Sequence, residues 1–265
     1  MTEAEYRRHP AVSRSELWRL HESPEKFRYY QEHPGEPTPA LLFGQVFHKL
    51  ALEPETFHEE FAVAPEVDRR TRDGKLQWEA YLEDTQGKAS VPADMMAKAQ
   101  AMREALYAVP FARKLLDGPR ELPFFWTDTQ TGEGCKCRVD CLNTRYSQPI
   151  IVDLKSAADA GTDSFTRDAI RYGYDFQAAM YQEGVERNIR QRPTFVFIVV
   201  EKDPPYAVNI LQADELLLRR GRALYREFLD IYHDCKTTGN WYGYLGKHNQ
   251  INNLALPSWL AKEIT

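Results

Sequence analysis

The sequence predicts an α/β fold, and three observations predict it. The run "PTFVFIVVEKDPP", residues 193–205, is continuously apolar at its centre, as a strand buried on both faces should be. The stretch "ELPFFWTDTQTGEGCKCRVDCLNTRYSQPIIVDLKS", residues 121–156, reads as three strands in a meander, with "TGEG" and "NTRYSQP" as its turns. Segments with helical spacing precede, separate and follow these strands. The order of helices, three strands, helix, strand and helix suits one α/β core, and we expect a single domain over residues 1–265.

Taken in order, "VSRSELWRLHESPEKFRYYQEHP" reads as two short helices. Ser13 with Glu16 three residues on makes a capping box, and Ser23-Pro24 is an N-cap followed by proline at the first helical position. "ALLFGQVFHKLALE" is a strongly apolar helix closed by Pro54. Residues 57–92 look polar and irregular, with "RRTRDGK" as a flexible loop. "PADMMAKAQAMREALYAVP" is a helix. "DSFTRDAIRYGYDFQAAMYQEGVERNI" is a long helix with two central glycine or glycine-like interruptions, Gly173 being the clear one. A short strand, "AVNILQ", follows the central one, and "ADELLLRRGRALYREFLDIYHDCK" is the last long helix. The tail is irregular, with apolar anchors expected at Trp241, Tyr244, Leu256 and Trp259.

Apolar content of 43% and charged content of 28% are those of an ordinary soluble protein, and a net charge of −5 weakly opposes an open basic nucleic-acid surface without excluding DNA. Cys135, Cys137, Cys141 and Cys235 make no secreted disulfide framework. The first three share one strand face by period two and lack zinc-site spacing, so they read as small core residues. The opening "MTEAEYRRHP" has no apolar signal segment, and no run approaches a membrane span. These features point to a reduced, cytoplasmic protein.

The chemistry concentrates in the meander. Alternation puts Lys136, Arg138 and Asp140 on one face of "CKCRVDC", and Ile151, Asp153 and Lys155 on one face of "IIVDLKS". If the two strands pair as a hairpin, Asp140 and Asp153 converge. Two carboxylates about 4 Å apart repel by roughly 4 kcal/mol at an effective dielectric near 20. Either one takes a proton or a hard divalent cation sits between them, Mg²⁺ or Mn²⁺ being suited to oxygen ligands. Lys155, one pleat along, can stabilise a phosphate oxygen or orient a water. The competing explanation is an Asp–Lys ion pair at a sheet edge. Upstream, Gly44 to His48 forms G-x-x-x-H; downstream, Gln177 to Tyr181 forms Q-x-x-x-Y. Each spacing aligns its ends on one helix face. Taken alone, His48 fits a satisfied core histidine, and Gln177 with Tyr181 a helix–sheet hydrogen-bond pair.

Together and in this order, with Glu121 opening the first meander strand, these pieces resemble the RecB-like branch of the PD-(D/E)xK nuclease superfamily. "VSRSELWRLHESPEKFRYY" is similar to that branch's opening motif. "VAPEVDRRTRDGK", "TGEGCKCRVD", "PTFVFIVV" and "LALPSWLAKE" resemble segments of RecE-type exodeoxyribonucleases, over about residues 5–263. The resemblance implies a PD-(D/E)xK, restriction-endonuclease-like core: a mixed sheet flanked by helices. It implies metal ligation by His48, Asp140, Asp153 and the Leu154 carbonyl. Lys155 would act on the attacking water or the scissile phosphate. Glu121 would hold a second metal or a water, and Gln177 and Tyr181 would position nucleic acid or brace Lys155. Ser13, Ser15 and Arg138 would contact substrate, although helix capping accounts equally well for the serines. Ser23 stands where iron–sulfur members of the branch carry cysteine, which argues against a cluster; no zinc is expected either. The implied activity is Mg²⁺-dependent 5′→3′ degradation of linear double-stranded DNA by a ring-shaped homo-tetramer. The implied partner is a RecT-type single-strand annealing protein. An endonuclease of the same fold and a non-catalytic DNA-binding module are the alternatives.

Overall fold

The computed structural model describes residues 1, 3–33, 35, 38–248 and 251–255. The chain opens with α1 (Glu3–Arg8), a two-residue strand β1 (Val12–Ser13), and the short helices α2 (Arg14–Trp18) and α3 (Pro24–Glu32). Ser13 makes the expected capping box with Glu16, and the Ser23 side chain accepts from the Lys26 N–H. Helix α4 (Pro39–Leu52) has Thr38 as its N-cap and proline in its first turn, and Glu53 ends it before Pro54.

The segment expected to be irregular is structured. It holds α5 (Phe57–Glu60), β2 (Phe61–Val63), α6 (Arg72–Asp84) and β3 (Ala89–Val91), with β2 and β3 paired in parallel. Thr71 caps α6 by accepting from the Gly74 N–H, so "RRTRDGK" is a helix start. The helix escaped prediction because it lacks an apolar stripe: Leu76 and Leu82 are exposed. Side-chain tethers hold it instead, the Tyr81 hydroxyl donating to Ala62 O and sharing a second hydrogen bond with the Ser90 hydroxyl.

Helices α7 (Ala93–Ala108) and α8 (Pro110–Leu115) lead into the meander of β4 (Arg120–Thr127), β5 (Gly134–Asn143) and β6 (Ile150–Ala157). The predicted long helix is two, α9 (Thr162–Tyr172) and α10 (Tyr174–Ile189), broken at Gly173 with φ 66°. A Cβ there would lie 2.4 Å from the Trp18 ring, so both backbone angle and space demand glycine. Strands β7 (Thr194–Glu201) and β8 (Val208–Gln212) and helix α11 (Glu215–Thr238) complete the fold.

The six-stranded sheet runs β1-β5-β6-β7-β8, with β4 along the other edge of β5. It is mixed: β1 lies parallel to β5 and β6 parallel to β7, and the other pairs are antiparallel. Helices cover both faces. Phe195, Phe197 and Val199 of β7 pack with α9, α10 and α11 on one side; Val196, Ile198 and Val200 pack with α4, α7 and α8 on the other. This is the two-sided burial that the unbroken apolar run predicts. Two cysteine neighbours part company here. Cys135 and Cys137 lie in the first layer as expected, but Cys141 packs in the second, where its thiol faces Leu115 O. Period two fails to carry through Asp140, where β5 changes partners along one edge. All four cysteines are buried.

In the tail Trp241 stacks on Phe27 with ring centroids 5.2 Å apart, whereas Tyr244 is largely exposed. Leu256, Trp259 and most of "LALPSWLAKE" lie outside the described residues. Among the described residues, no helix is long and apolar enough to cross a membrane.

Candidate active site

The site forms where one strand leaves another. Along the edge away from β4, β5 pairs first with β1 at Cys135 and Lys136, and later with β6 at Cys141, Leu142 and Asn143. Between these contacts β5 and β6 diverge. Continued by one residue, the register of Cys141 with Val152 would set Asp140 opposite Asp153. The ladder stops short of that pair. The Asp140 carboxylate turns into the opening and its Oδ2 accepts the Leu154 N–H at 2.7 Å. A donor that the parting would have left buried and unpaired is thereby satisfied.

His48 arrives from α4, on the second face of the sheet, with Nδ1 3.6 Å from Asp140 Oδ2. Glu121 arrives from β4 between the bridge pairs Arg120–Cys141 and Leu122–Val139, which places it across from Asp140. Its φ is 50°, a left-handed conformation that glutamate adopts only when surroundings hold it there. One ligand atom from each of His48, Glu121 and Asp140 lies within 4.8 Å of the others. Burial, then the Asp140 charge, then Glu53 push the Glu121 carboxyl up to about 9 against the opposing Lys49. Arg138 supplies a counter-charge, its Nε 2.8 Å from Glu121 Oε2.

Asp153 lies outside that trio. It is 1% exposed. Its Oδ1 accepts from Gln177 Nε2 of α10 at 2.5 Å. Its Oδ2 is in ion-pair contact with Lys155 Nζ at 2.5 Å, with no partner aligned as a hydrogen bond. Burial raises the Asp153 pKa; Lys155 opposes the rise and Asp140 adds to it. Burial works against the Lys155 ammonium, but Asp153, Asp140 and Tyr174 outweigh it and hold its pKa above the ordinary value. An Asp–Lys ion pair therefore exists, but on a central strand rather than at the sheet edge expected of a purely structural pair. Leu154 has its side chain in the core and its N–H at the parting.

The remaining candidates come from β1, α2 and α10. Tyr181 is partly buried near Asp153, its pKa raised by burial first and then by Cys137, Tyr6 and Asp153. Ser13 is spent on capping: its Oγ and N–H both donate to Glu16, and Ser15 Oγ lies 3.2 Å from Ser13 Oγ. Two contributors were not read from the sequence. Arg14 donates to the carbonyls of Tyr172 and Gly173, and burial lowers its pKa against the charges of Tyr181, Tyr174 and Asp153. Tyr174 places its ring 4.8 Å from Lys155 Nζ. Their signals were present, Arg14 lying between the paired serines and Tyr174 following the glycine break.

An imidazole nitrogen and two carboxylates, half-buried at His48 and Glu121 and buried at Asp140, suit a hard divalent cation. Burial first, and then the Asp140 charge, disfavour the Glu121 carboxylate, and a bound cation would offset both.

Residues 13–253 match the family described as a PDDEXK-like domain of unknown function. The chain belongs to that family, and so to the PD-(D/E)xK nuclease superfamily. No curated protein matches it significantly. Among solved structures, a "Putative exonuclease" from Eubacterium rectale superposes with TM-score 0.62 at 14% identity, covering 100% of this chain and 98% of that one. At that identity the likeness speaks to the fold. SSO0001 superposes with TM-score 0.41 at 11% identity, covering 86% of this chain and 81% of that one.

Proposed function

We propose that the protein is a divalent-metal-dependent nuclease of the RecE exodeoxyribonuclease type, degrading linear double-stranded DNA from 5′ ends to leave 3′ single-stranded tails. The observation that carries the nuclease reading is the convergence of His48, Glu121 and Asp140 ligand atoms within 4.8 Å, beside the Asp153–Lys155 ion pair.

The three residues would hold the ion, with Asp153 Oδ2 and the Leu154 carbonyl completing the set; Mg²⁺ is the expected ion and Mn²⁺ a competent substitute. Bound there, a divalent ion polarises a phosphoryl oxygen and acidifies a water. The chain's own groups do the rest. Lys155, kept protonated by its acidic neighbours, offsets charge that builds on the phosphate. Asp153 fixes the Lys155 ammonium, and Gln177 fixes Asp153. Arg138 holds Glu121 in place while substrate is absent and is then available to a phosphate. Tyr181 would help to position nucleic acid beside Lys155. Ser13 and Ser15 lie at the start of α2, where a substrate phosphate can approach.

The exonuclease part rests on the sequence resemblance and on the description of the E. rectale structure. A tetrameric ring and a RecT-type annealing partner rest on the sequence resemblance alone, a cytoplasmic setting on the free cysteines, and a single catalytic domain over residues 1–265 on the order of the elements. Linear duplex labelled at either the 5′ or the 3′ end, with covalently closed circles alongside, tests the reading. We expect early 5′-label release with Mg²⁺, none with EDTA, and intact circles. Cut circles indicate an endonuclease. Cleavage in EDTA overturns the metal mechanism.

A further inference from the structure

A row of aromatic rings leads outward from Lys155. Its Nζ stands 4.8 Å from the Tyr174 ring centroid, and the Tyr174 and Tyr172 rings are 5.8 Å apart at 38°. Tyr174 is half-buried against Phe165 and Phe197. Tyr172, at the end of α9, is 44% exposed. The Arg171 guanidinium lies 5.3 Å from the Tyr172 ring and is itself exposed. The backbone beneath is fixed from behind, since Arg14 donates to the carbonyls of Tyr172 and Gly173 and the Trp18 ring packs against Gly173. An exposed tyrosine on a clamped turn, two rings from the proposed catalytic lysine and flanked by a cation, is what a stacked nucleobase and its phosphate need.

We propose that Tyr172 is a nucleobase-stacking residue for a single-stranded segment of DNA next to the scissile phosphate, with Arg171 on the adjoining backbone phosphate. The inference rests on the nuclease reading and adds a condition to it. Bases inside a duplex have both faces covered by neighbours, so a ring at this position engages the strand only where at least one nucleotide is unpaired. The side chain is exposed and the clamp uses main-chain carbonyls, so truncation at Tyr172 leaves the turn intact.

The test measures fluorescence anisotropy of a labelled oligo-dT on the full chain in EDTA, and cleavage of linear duplex with Mg²⁺. Tyr172→Ala should weaken oligo-dT binding by about 10- to 100-fold. Tyr172→Phe should stay within about 2-fold, because the hydroxyl takes no part in stacking. Arg171→Gln should flatten the salt dependence of binding, a signature that lost packing would not give. Equal affinity of the Tyr172→Ala and unaltered proteins, while the latter still cuts duplex, overturns this inference alone. Failure of the unaltered protein to cut any DNA overturns the nuclease reading, and this inference with it.

Discussion

The carboxylate of Asp140 on β5 accepts the backbone N–H of Leu154 on β6 at 2.7 Å, across the point where the two strands cease to pair. One side chain therefore both mends the torn ladder and presents an acid to the proposed ion. The two duties can be separated. Asp140→Asn keeps an acceptor for the N–H but loses the charge; Asp140→Ala loses both. Both variants should cost more activity than the ~10–100-fold typical of losing a group outside the ligand set. Only Asp140→Ala should also lose about 1–3 kcal/mol of stability, read from urea midpoints.

Glu121 sets a pH dependence. Its carboxyl, raised from 4.5 to about 9 in the fold, favours the folded state fully below pH 4.5 and loses that contribution as pH climbs toward 9. Without metal, stability should fall across this window by at most about 1.4 kcal/mol per pH unit. Glu121→Gln should flatten the decline. Mn²⁺ should restore the melting temperature of the unaltered protein more at pH 8.5 than at pH 6, because binding must displace the proton. Thermal melts with Mn²⁺ or EDTA decide this; identical slopes for the two proteins would exclude Glu121 as the titrating group.

Gln177 holds Asp153 by one hydrogen bond in a dry setting. Gln177→Leu should reduce the rate by roughly 10–100-fold, as expected when a supporting partner is removed. It should do so through kcat more than KM, since Gln177 orients Asp153 and Lys155 behind the substrate. A change confined to KM would instead place Gln177 on the DNA.

Gly173→Ala should unfold easily. The left-handed backbone costs a residue with a Cβ about 1–2 kcal/mol, and that carbon would lie 2.4 Å from the Trp18 ring. A fall of several degrees in the melting temperature is expected, at about 2–4 °C per kcal/mol for a chain of this size. Trp18→Leu should partly rescue the variant, and absence of rescue would point to backbone strain alone.

Much of this arrangement was legible because it follows from alternation. Ile151 faces one core layer and Val152 and Leu154 the other, so the side carrying Asp153 and Lys155 could be read directly. The strand Thr194–Glu201 and the break at Gly173 were equally plain. The divergence of β5 and β6 was not. It depends on a two-residue strand, Val12–Ser13, taking part of the edge of β5 from more than 120 positions away in the chain. No local pattern encodes that. Hence sequence periodicity puts Asp140 and Asp153 side by side, while the structure groups Asp140 with His48 and Glu121. The left-handed Glu121 and the inverted Cys141 sit at the same junction, where regular period two gives way.

A sheet stitched at one end and open at the other has the outline of shears about a pivot. Three bridged pairs, Cys141–Val152, Leu142–Ile151 and Asn143–Ile150, are that pivot. One blade carries Asp140 and, through β4, Glu121; the other carries Asp153 and Lys155. The angle between the blades sets how far the acids stand from the amine. Alterations at Leu142 or Ile151, both buried, would change that angle and with it the distances between these groups.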